Sequence, residues 1–377
     1  MKTKKKLLII GPHYDTFIKG SGEELANYYD EINVIIPKWK KLKLFFFKKT
    51  IFKIVDKKFS TSKKNIKIHE VLCSSIIFFA TKDIINYLNH KKIDYNLILS
   101  HFLVPYGYLG NQLASLNCVK SIIIGHGFDV YKFPFDNFIN KNIAQKILKE
   151  SDKIITVSNS NLKCLRKLGY KNKVNVIPNG FDPKVFKKLD KNKCKSYLNI
   201  PKNKKVILTI GNLVDVKNQI SLINAIKELK IKKQNFICYI IGNGSLKQAL
   251  EDKIKQEKLG GYIKLKGSKP HKEIPLWLNA ADVFVLPSYS EGNPTVMFEA
   301  LGCGIPYVGT NVGGVRDIIH SEKYGFIYDN PKDYKTFANL LDKSLNKKWD
   351  KNEILNYSKR FTWNKIVQEL LKKLNKY

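Results

Sequence analysis

Strand-sized apolar runs alternate with helix-period segments along this chain, and the alternation runs through twice. In the first half "KLLIIG", "NVIIP", "YNLILSH", "KSIIIGHG", "DKIITVS" and "KVNVIPNG" read as buried strands, with "GSGEELANYYDEI" as a helix after a glycine turn at Gly20 and Gly22. The second half restarts with "KKVILTIG", "NFICYIIGNG", "YIKLKG" and "DVFVLPS" as strands, and "NQISLINAIKELK", "LKQALEDKIKQEK" and "HKEIPLWLNAA" as helices. Strands that alternate with helices form parallel sheets wrapped by helices, so the fold class is α/β with two doubly wound domains in tandem. Pro178, Gly180 and Pro183 in "PNGFDPKVFKK" break the periodicity and mark the joint. The expected division is 1–183, 184–361, and a C-terminal helix over 362–377 that packs back on the first domain with Trp363 as an anchor. Ligands of open parallel sheets sit outside the carboxyl ends of the strands, which places the expected site in the cleft between the two sheets.

Composition narrows the class. The chain has 377 residues, 44% of them hydrophobic, enough for two domains with cores of their own. No apolar run approaches the roughly 20 residues that span a bilayer. The start "MKTKKKLLIIGPHYD" imitates a secretory leader, but its apolar stretch is short and closed by Gly-Pro, so a cytoplasmic chain is expected. Six scattered cysteines form no Cys-x-x-Cys pair and read as free thiols. The net charge of +35 invites a nucleic-acid reading, but the cations are 64 lysines and 3 arginines, and arginine is the side chain suited to forked phosphate and base recognition.

Glu291 and Glu299 stand eight residues apart in "SEGNPTVMFEALGCG". On one continuous helix their carboxylates would be about 12 Å apart and rotated by roughly 80°. Pro294 instead suits a helix start with Asn293 as its cap, which puts Glu291 in a loop and Glu299 in the second turn. The first amides of that helix, at Thr295 and Val296, make an anion site between the two carboxylates. Two hydroxyl-binding carboxylates around an anion describe a nucleotide-sugar diphosphate; on the residues alone, two surface glutamates remain the alternative.

"SEGNPTVMFEALGCGIPYV" closely resembles the Glu-x7-Glu signature of the retaining GT-B glycosyltransferases of family four, also called glycosyl transferases group 1. "IIGHGFDVY", "DKIITVSNSNLKCLRKLG", "VNVIPNGFDPKVF", "LTIGNLVDVKNQISLINAI", "IGNGSLKQAL", "LKGSKPHKEIPLWLNAADVFVLPS" and "GTNVGGVRDII" fit the family in order. The resemblance implies a GT-B fold, two Rossmann-like domains facing a central cleft. It implies that Glu299 holds the ribose, that Glu291 contacts the transferred sugar, and that the Thr295 and Val296 amides meet the diphosphate or sugar. Lys217 matches the phosphate-binding lysine, and Asn212 stands where many relatives carry arginine. His126 matches a histidine at the reaction centre, with Asp129 nearby. Gly22 answers a phosphate-approaching glycine of the first domain, while Gly242, Gly244 and Ser268 lie where relatives line the base pocket. His126, Glu291 and Lys217 are thus the candidate catalytic residues, and Glu299, Asn212, Asn293, Thr295, Val296, Gly22, Gly242 and Ser268 the donor-binding set. Retention of configuration is likewise inherited from the family.

From Lys38 to Lys67 the chain carries twelve lysines against one acid, Asp56, interleaved with aromatics. Trp39, Lys40, Lys41, Phe46 and Lys48 form the candidate membrane and acceptor side, because basic amphipathic segments lie in membrane interfaces. The alternative is a helical hairpin with a solvated lysine face. The expected protein is a hexosyltransferase peripheral at the inner face of the cell membrane. It moves a sugar from a UDP-sugar rather than a GDP-sugar to a glycan or polyprenyl-linked saccharide, needing neither metal nor cofactor and no nucleic acid. A nucleotide-sugar 2-epimerase of the same fold and a basic nucleic-acid-binding protein are the rival functions.

Overall fold

The computed structural model describes residues 4–14, 16–40, 59–232 and 235–374. Two compact units are present: Met1–Pro178 with Ile366–Tyr377, and Asn179–Lys365.

The first unit holds seven strands: β1 (Lys6–Ile10), β2 (Glu31–Trp39), β3 (Ile66–Cys73), β4 (Leu97–His101), β5 (Lys120–Gly125), β6 (Lys153–Thr156) and β7 (Val174–Val176). They run parallel in the order β3-β2-β1-β4-β5-β6-β7. The unbroken apolar run of β1 follows from its central place, where Ile9 pairs with both Val34 and Leu99 and every residue from Leu7 to Ile10 is buried. Leu8 and Ile10 pack with Leu109, Leu113 and Ile84 on one face. Ile123 and Ile154 from the neighbouring strands pack with Ile147, Leu148 and Leu165.

Three expectations for this unit are corrected. Strand β3, "IKIHEVLC", is absent from the strands read in the sequence; it starts where the basic run ends and is an edge strand with only partial burial, so its sequence lacks a continuous apolar run. Trp39, expected on the membrane and acceptor side, is instead the last residue of β2 and packs against the unit's core, and Lys38 is ion-paired to Glu70 at 3.1 Å, so the run opens as the end of a strand. Lys40 is exposed, its amide donating to the Cys73 carbonyl; Lys41, Phe46 and Lys48 lie outside the described residues. Gly22 lies inside the helix Thr16–Leu25 rather than in a loop before it, and a Cβ there would sit 3.2 Å from the Tyr14 ring. Its smallness serves helix–tyrosine packing.

The second unit holds β8 (Lys205–Ile210), β9 (Phe236–Ile241), β10 (Ile263–Leu265), β11 (Val283–Leu286), β12 (Tyr307–Thr310) and β13 (Gly325–Tyr328), parallel in the order β10-β9-β8-β11-β12-β13. Strands β12 and β13 add to the series read from the sequence. Val206 and Leu208 face Ala300 and Leu301 of the helix Thr295–Gly302, while Ile207 faces Leu222 and Ile226 of the helix Gln219–Lys232. Each sheet reverses its winding once, at β1/β4 in the first unit and at β8/β11 in the second. Those two reversals are where open α/β sheets bind ligands.

Candidate active site

At the β8/β11 reversal, the loop after β8 passes through a short 3-10 turn, Asp215–Lys217, and then through Asn218 in the left-handed conformation at φ 50°. The Asn218 carboxamide donates to the carbonyls of Pro287 and Pro331, which ties this turn to the loop after β11. Lys217 is thereby delivered to Glu291: its Nζ lies 2.7 Å from Oε1, which also accepts a 2.6 Å bond from the Ser288 hydroxyl. The Glu291 side chain is 8% exposed. A carboxylate so withdrawn from water needs partners of this kind. Behind it, Gly313 at φ +57° brings the loop after β12 so close that a Cβ would stand 1.8 Å from the Glu291 carbonyl. Burial, and next to it the Glu291 charge, hold the Tyr307 hydroxyl well above its ordinary pKa.

Four residues after Glu291 the helix Thr295–Gly302 begins, with Thr295 and Val296 in its first turn and Glu299 buried in its second. Asn293 does not cap it. Pro294 occupies the cap position, and the Asn293 carboxamide is already engaged, its Oδ1 accepting from the Asn179 amide at 2.8 Å while Asn179 Nδ2 donates to the Asn293 carbonyl at 2.8 Å. Glu299 Oε1 lies 3.2 Å from His271 Nε2, and the His271 ring meets Phe186 edge-on at 5.2 Å. Glu291, Asn293 and Glu299 therefore hold polar partners that the sequence reading did not name: Ser288, Asn179 and His271 respectively.

The first unit gathers three histidines at the carboxyl ends of adjacent strands. His13 follows β1, His101 ends β4, and His126 follows β5. His126 Nε2 and His101 Nδ1 are 2.9 Å apart, and the two rings stack at 5.1 Å with a 17° tilt. Phe17 and Phe102 enclose His126 at centroid distances of 4.2 and 4.7 Å. Burial pushes the His101 pKa down to about 3 and that of His126 well below its ordinary value, so both rings are neutral at physiological pH. Between two neutral imidazoles one nitrogen donates and the other accepts. Asp129 shapes the turn beneath them: its Oδ1 accepts from the amides of His126 and Gly127, and its Oδ2 from Leu103. Burial raises its pKa to about 6, against the pull of those amides.

The family description "Glycosyl transferases group 1" matches residues 190–362, and "Glycosyltransferase Family 4" matches residues 74–185. The chain belongs to the family-four glycosyltransferases. The putative teichuronic acid biosynthesis glycosyltransferase TuaC of Bacillus subtilis is 28% identical over 249 residues, 65% of this chain and 60% of its own length. The UDP-Gal:alpha-D-GlcNAc-diphosphoundecaprenol alpha-1,3-galactosyltransferase of Escherichia coli is 29% identical over 300 residues, 76% of this chain and 75% of that one. Among solved structures, Anabaena HepE in complex with UDP superposes with a TM-score of 0.78 at 17% identity, covering 99% of this chain and all of that one. That likeness gives the fold, GT-B with two Rossmann-like units.

Within this family-four chain the remaining predicted residues have plain structural settings. Asn212 is exposed in the loop after β8, its carbonyl accepting from Gln219 Nε2. Gly242, at φ +148°, faces the Gly211 backbone so closely that a Cβ would stand 1.9 Å from its carbonyl oxygen, so the glycine is required by the meeting of two loops. Gly244 presses on Leu213 in the same way. Ser268 is exposed in the segment between β10 and the turn His271–Glu273.

Proposed function

We propose that this family-four glycosyltransferase moves a hexose from a UDP-sugar to a glycan or lipid-linked saccharide acceptor with retention of configuration, in the synthesis of a cell-surface polysaccharide or glycolipid. The observation that carries the reading is the 2.7 Å Lys217–Glu291 pair at the β8/β11 reversal, four residues before the amino end of the helix Thr295–Gly302. Departure of a nucleoside diphosphate builds negative charge on phosphate oxygens. A lysine, unpaired helix amides and the positive end of the helix dipole stabilise that charge. Glu291 and Glu299 accept bonds from hydroxyls of the transferred sugar and of the ribose. His126, neutral and held in an aromatic cage, lends a hydrogen-bonding nitrogen that takes no net charge into the reaction. The relatives named for lipid-linked galactosyl transfer and for teichuronic acid synthesis support the acceptor class, and the UDP complex of a structural neighbour supports the nucleotide.

Thermal unfolding with a panel of nucleotide sugars tests the donor half. A UDP-sugar at a hundred times its Kd adds about 2.7 kcal/mol of stability, and the Lys217→Met variant loses most of that gain. Absence of stabilisation by every uridine and guanosine diphosphate sugar overturns the reading, and so does conversion of the donor to its 2-epimer without acceptor.

A further inference from the structure

Five large apolar side chains crowd the surface of the first unit within residues 128–143: Phe138 is 75% and Ile139 69% exposed, with Phe128, Phe135 and Ile143 between 38% and 46%. Single exposed apolar residues are ordinary, but a cluster of this size on one short stretch marks a contact surface. The helix Phe138–Glu150 is seated by its other face, where Ala144, Ile147 and Leu148 are buried, so the outward set is a true second face. Lysines 132, 141, 146 and 149 stand exposed around it, and Lys132 Nζ lies 5.7 Å from the Phe128 ring centroid. The exposed acids nearby are Asp136 and Glu150, the latter 3.8 Å from Lys146.

We propose that this face docks the chain on an anionic lipid bilayer, Phe135, Phe138, Ile139 and Ile143 entering the headgroup–acyl boundary while the lysines meet lipid phosphates. The surrounding lysines select an anionic occupant, and a second copy of a chain of net charge +35 would bring like charge against like. Protruding aromatics need a matched pocket in a protein partner but none in an acyl layer, which favours the bilayer. Phe128 lies two residues beyond His126, so the bilayer contact and the histidine cage share the carboxyl end of β5. The proposal deepens the acceptor half of the function proposed above by naming the surface from which a lipid-linked acceptor is taken. It also assigns the membrane contact to a segment other than the lysine run that the sequence singled out.

Cosedimentation of the full chain with vesicles tests it, using phosphatidylcholine alone and phosphatidylcholine mixed equally with phosphatidylglycerol. The wild type pellets with the mixed vesicles only. Phe138→Ser, Ile139→Ser and Ile143→Ser combined lower the partition coefficient about tenfold or more. Lys141→Gln, Lys146→Gln and Lys149→Gln combined lower it by a factor on the order of 100, at about 1 kcal/mol for each lysine. Both variants keep the helical circular dichroism and the UDP-induced thermal shift, which separates this test from the donor test. Undiminished pelleting of the serine variant, equal pelleting with neutral vesicles, or a wild-type dimer that the serine variant splits would each overturn the proposal, the last assigning the face to a second copy.

Discussion

The bond between His101 and His126 can be weighed by removing it from one side and then from both. His101→Leu keeps the volume but leaves His126 Nε2 without its 2.9 Å partner inside the Phe17–Phe102 cage. Stranding a buried polar atom costs about 1–3 kcal/mol, whereas replacing both partners by apolar groups is close to neutral. His101→Leu and His126→Leu each therefore destabilise by about that amount, while the double variant is close to neutral and so falls short of their sum by about 2–6 kcal/mol. Acid adds a second signature. The folded-state pKa of His101 is about 3 and that of His126 is also depressed, so both contribute stability above the unfolded value of about 6.5 and lose it as pH falls toward the folded values. Between pH 6.5 and 5 His101 costs the wild type about 2 kcal/mol, at about 1.4 kcal/mol per pH unit; His126 adds a cost of the same sign, and the double variant escapes both. Urea midpoints of the four proteins at pH 7.5 and pH 5 give both quantities. Single-variant effects that add to within about 0.3 kcal/mol, or a double variant as acid-sensitive as the wild type, would refute the reasoning.

Three further outcomes can be checked. Glu299→Ala weakens UDP binding about ten- to a hundredfold through loss of charge-assisted ribose bonds, while Glu291→Gln lowers turnover without weakening UDP, since it releases Lys217 from its carboxylate; calorimetry and steady-state rates separate the two, and equal affinity losses would count against the division of roles. Gly313→Ala forces a side chain into a left-handed position and against the Glu291 carbonyl, so the unfolding free energy falls by at least about 1–2 kcal/mol, lowering the melting temperature, and the rate falls with it; Gly260→Ala, with nothing within 4 Å, stays within about 0.5 kcal/mol. Turnover survives EDTA, because the phosphate charge is assigned to Lys217 and helix amides; a loss that Mg²⁺ restores would move that role to a metal.

The alternation of strands and helices and the loop-then-helix placement of Glu291 and Glu299 were legible because they rest on local periodicity and on proline's preference for helix starts. Strand β3 was not, since an edge strand need not be apolar and only Ile66, Val71 and Cys73 of this one are buried. Gly20 and Gly22 read as a turn but are taken into the helix Thr16–Leu25, where tertiary packing against Tyr14 overrides glycine's poor helix propensity. Asn293 has a capping side chain by type, yet its partner is Asn179, 114 residues away. His101 carried a readable signal, a histidine ending an apolar strand run in "LILSH", and its role emerges only because β4 and β5 are neighbours. Lys217 and Glu291, 74 residues apart, meet because β8 and β11 pair across the reversal of the sheet.

The composition of the first unit, Met1–Pro178 completed by the stretch from Ile366, has a consequence for how the protein is made. A ribosome delivers the whole of the second unit before it delivers the helix turns that finish the first. At about 5–20 residues per second, the 187 residues between Pro178 and Ile366 take about 10–40 s to synthesise. Throughout that interval the nascent first unit lacks Val367, Leu370 and Leu371, side chains that end up buried. Its apolar surface stays uncovered while the second unit is being made, so the nascent first unit is most prone to aggregate in that window.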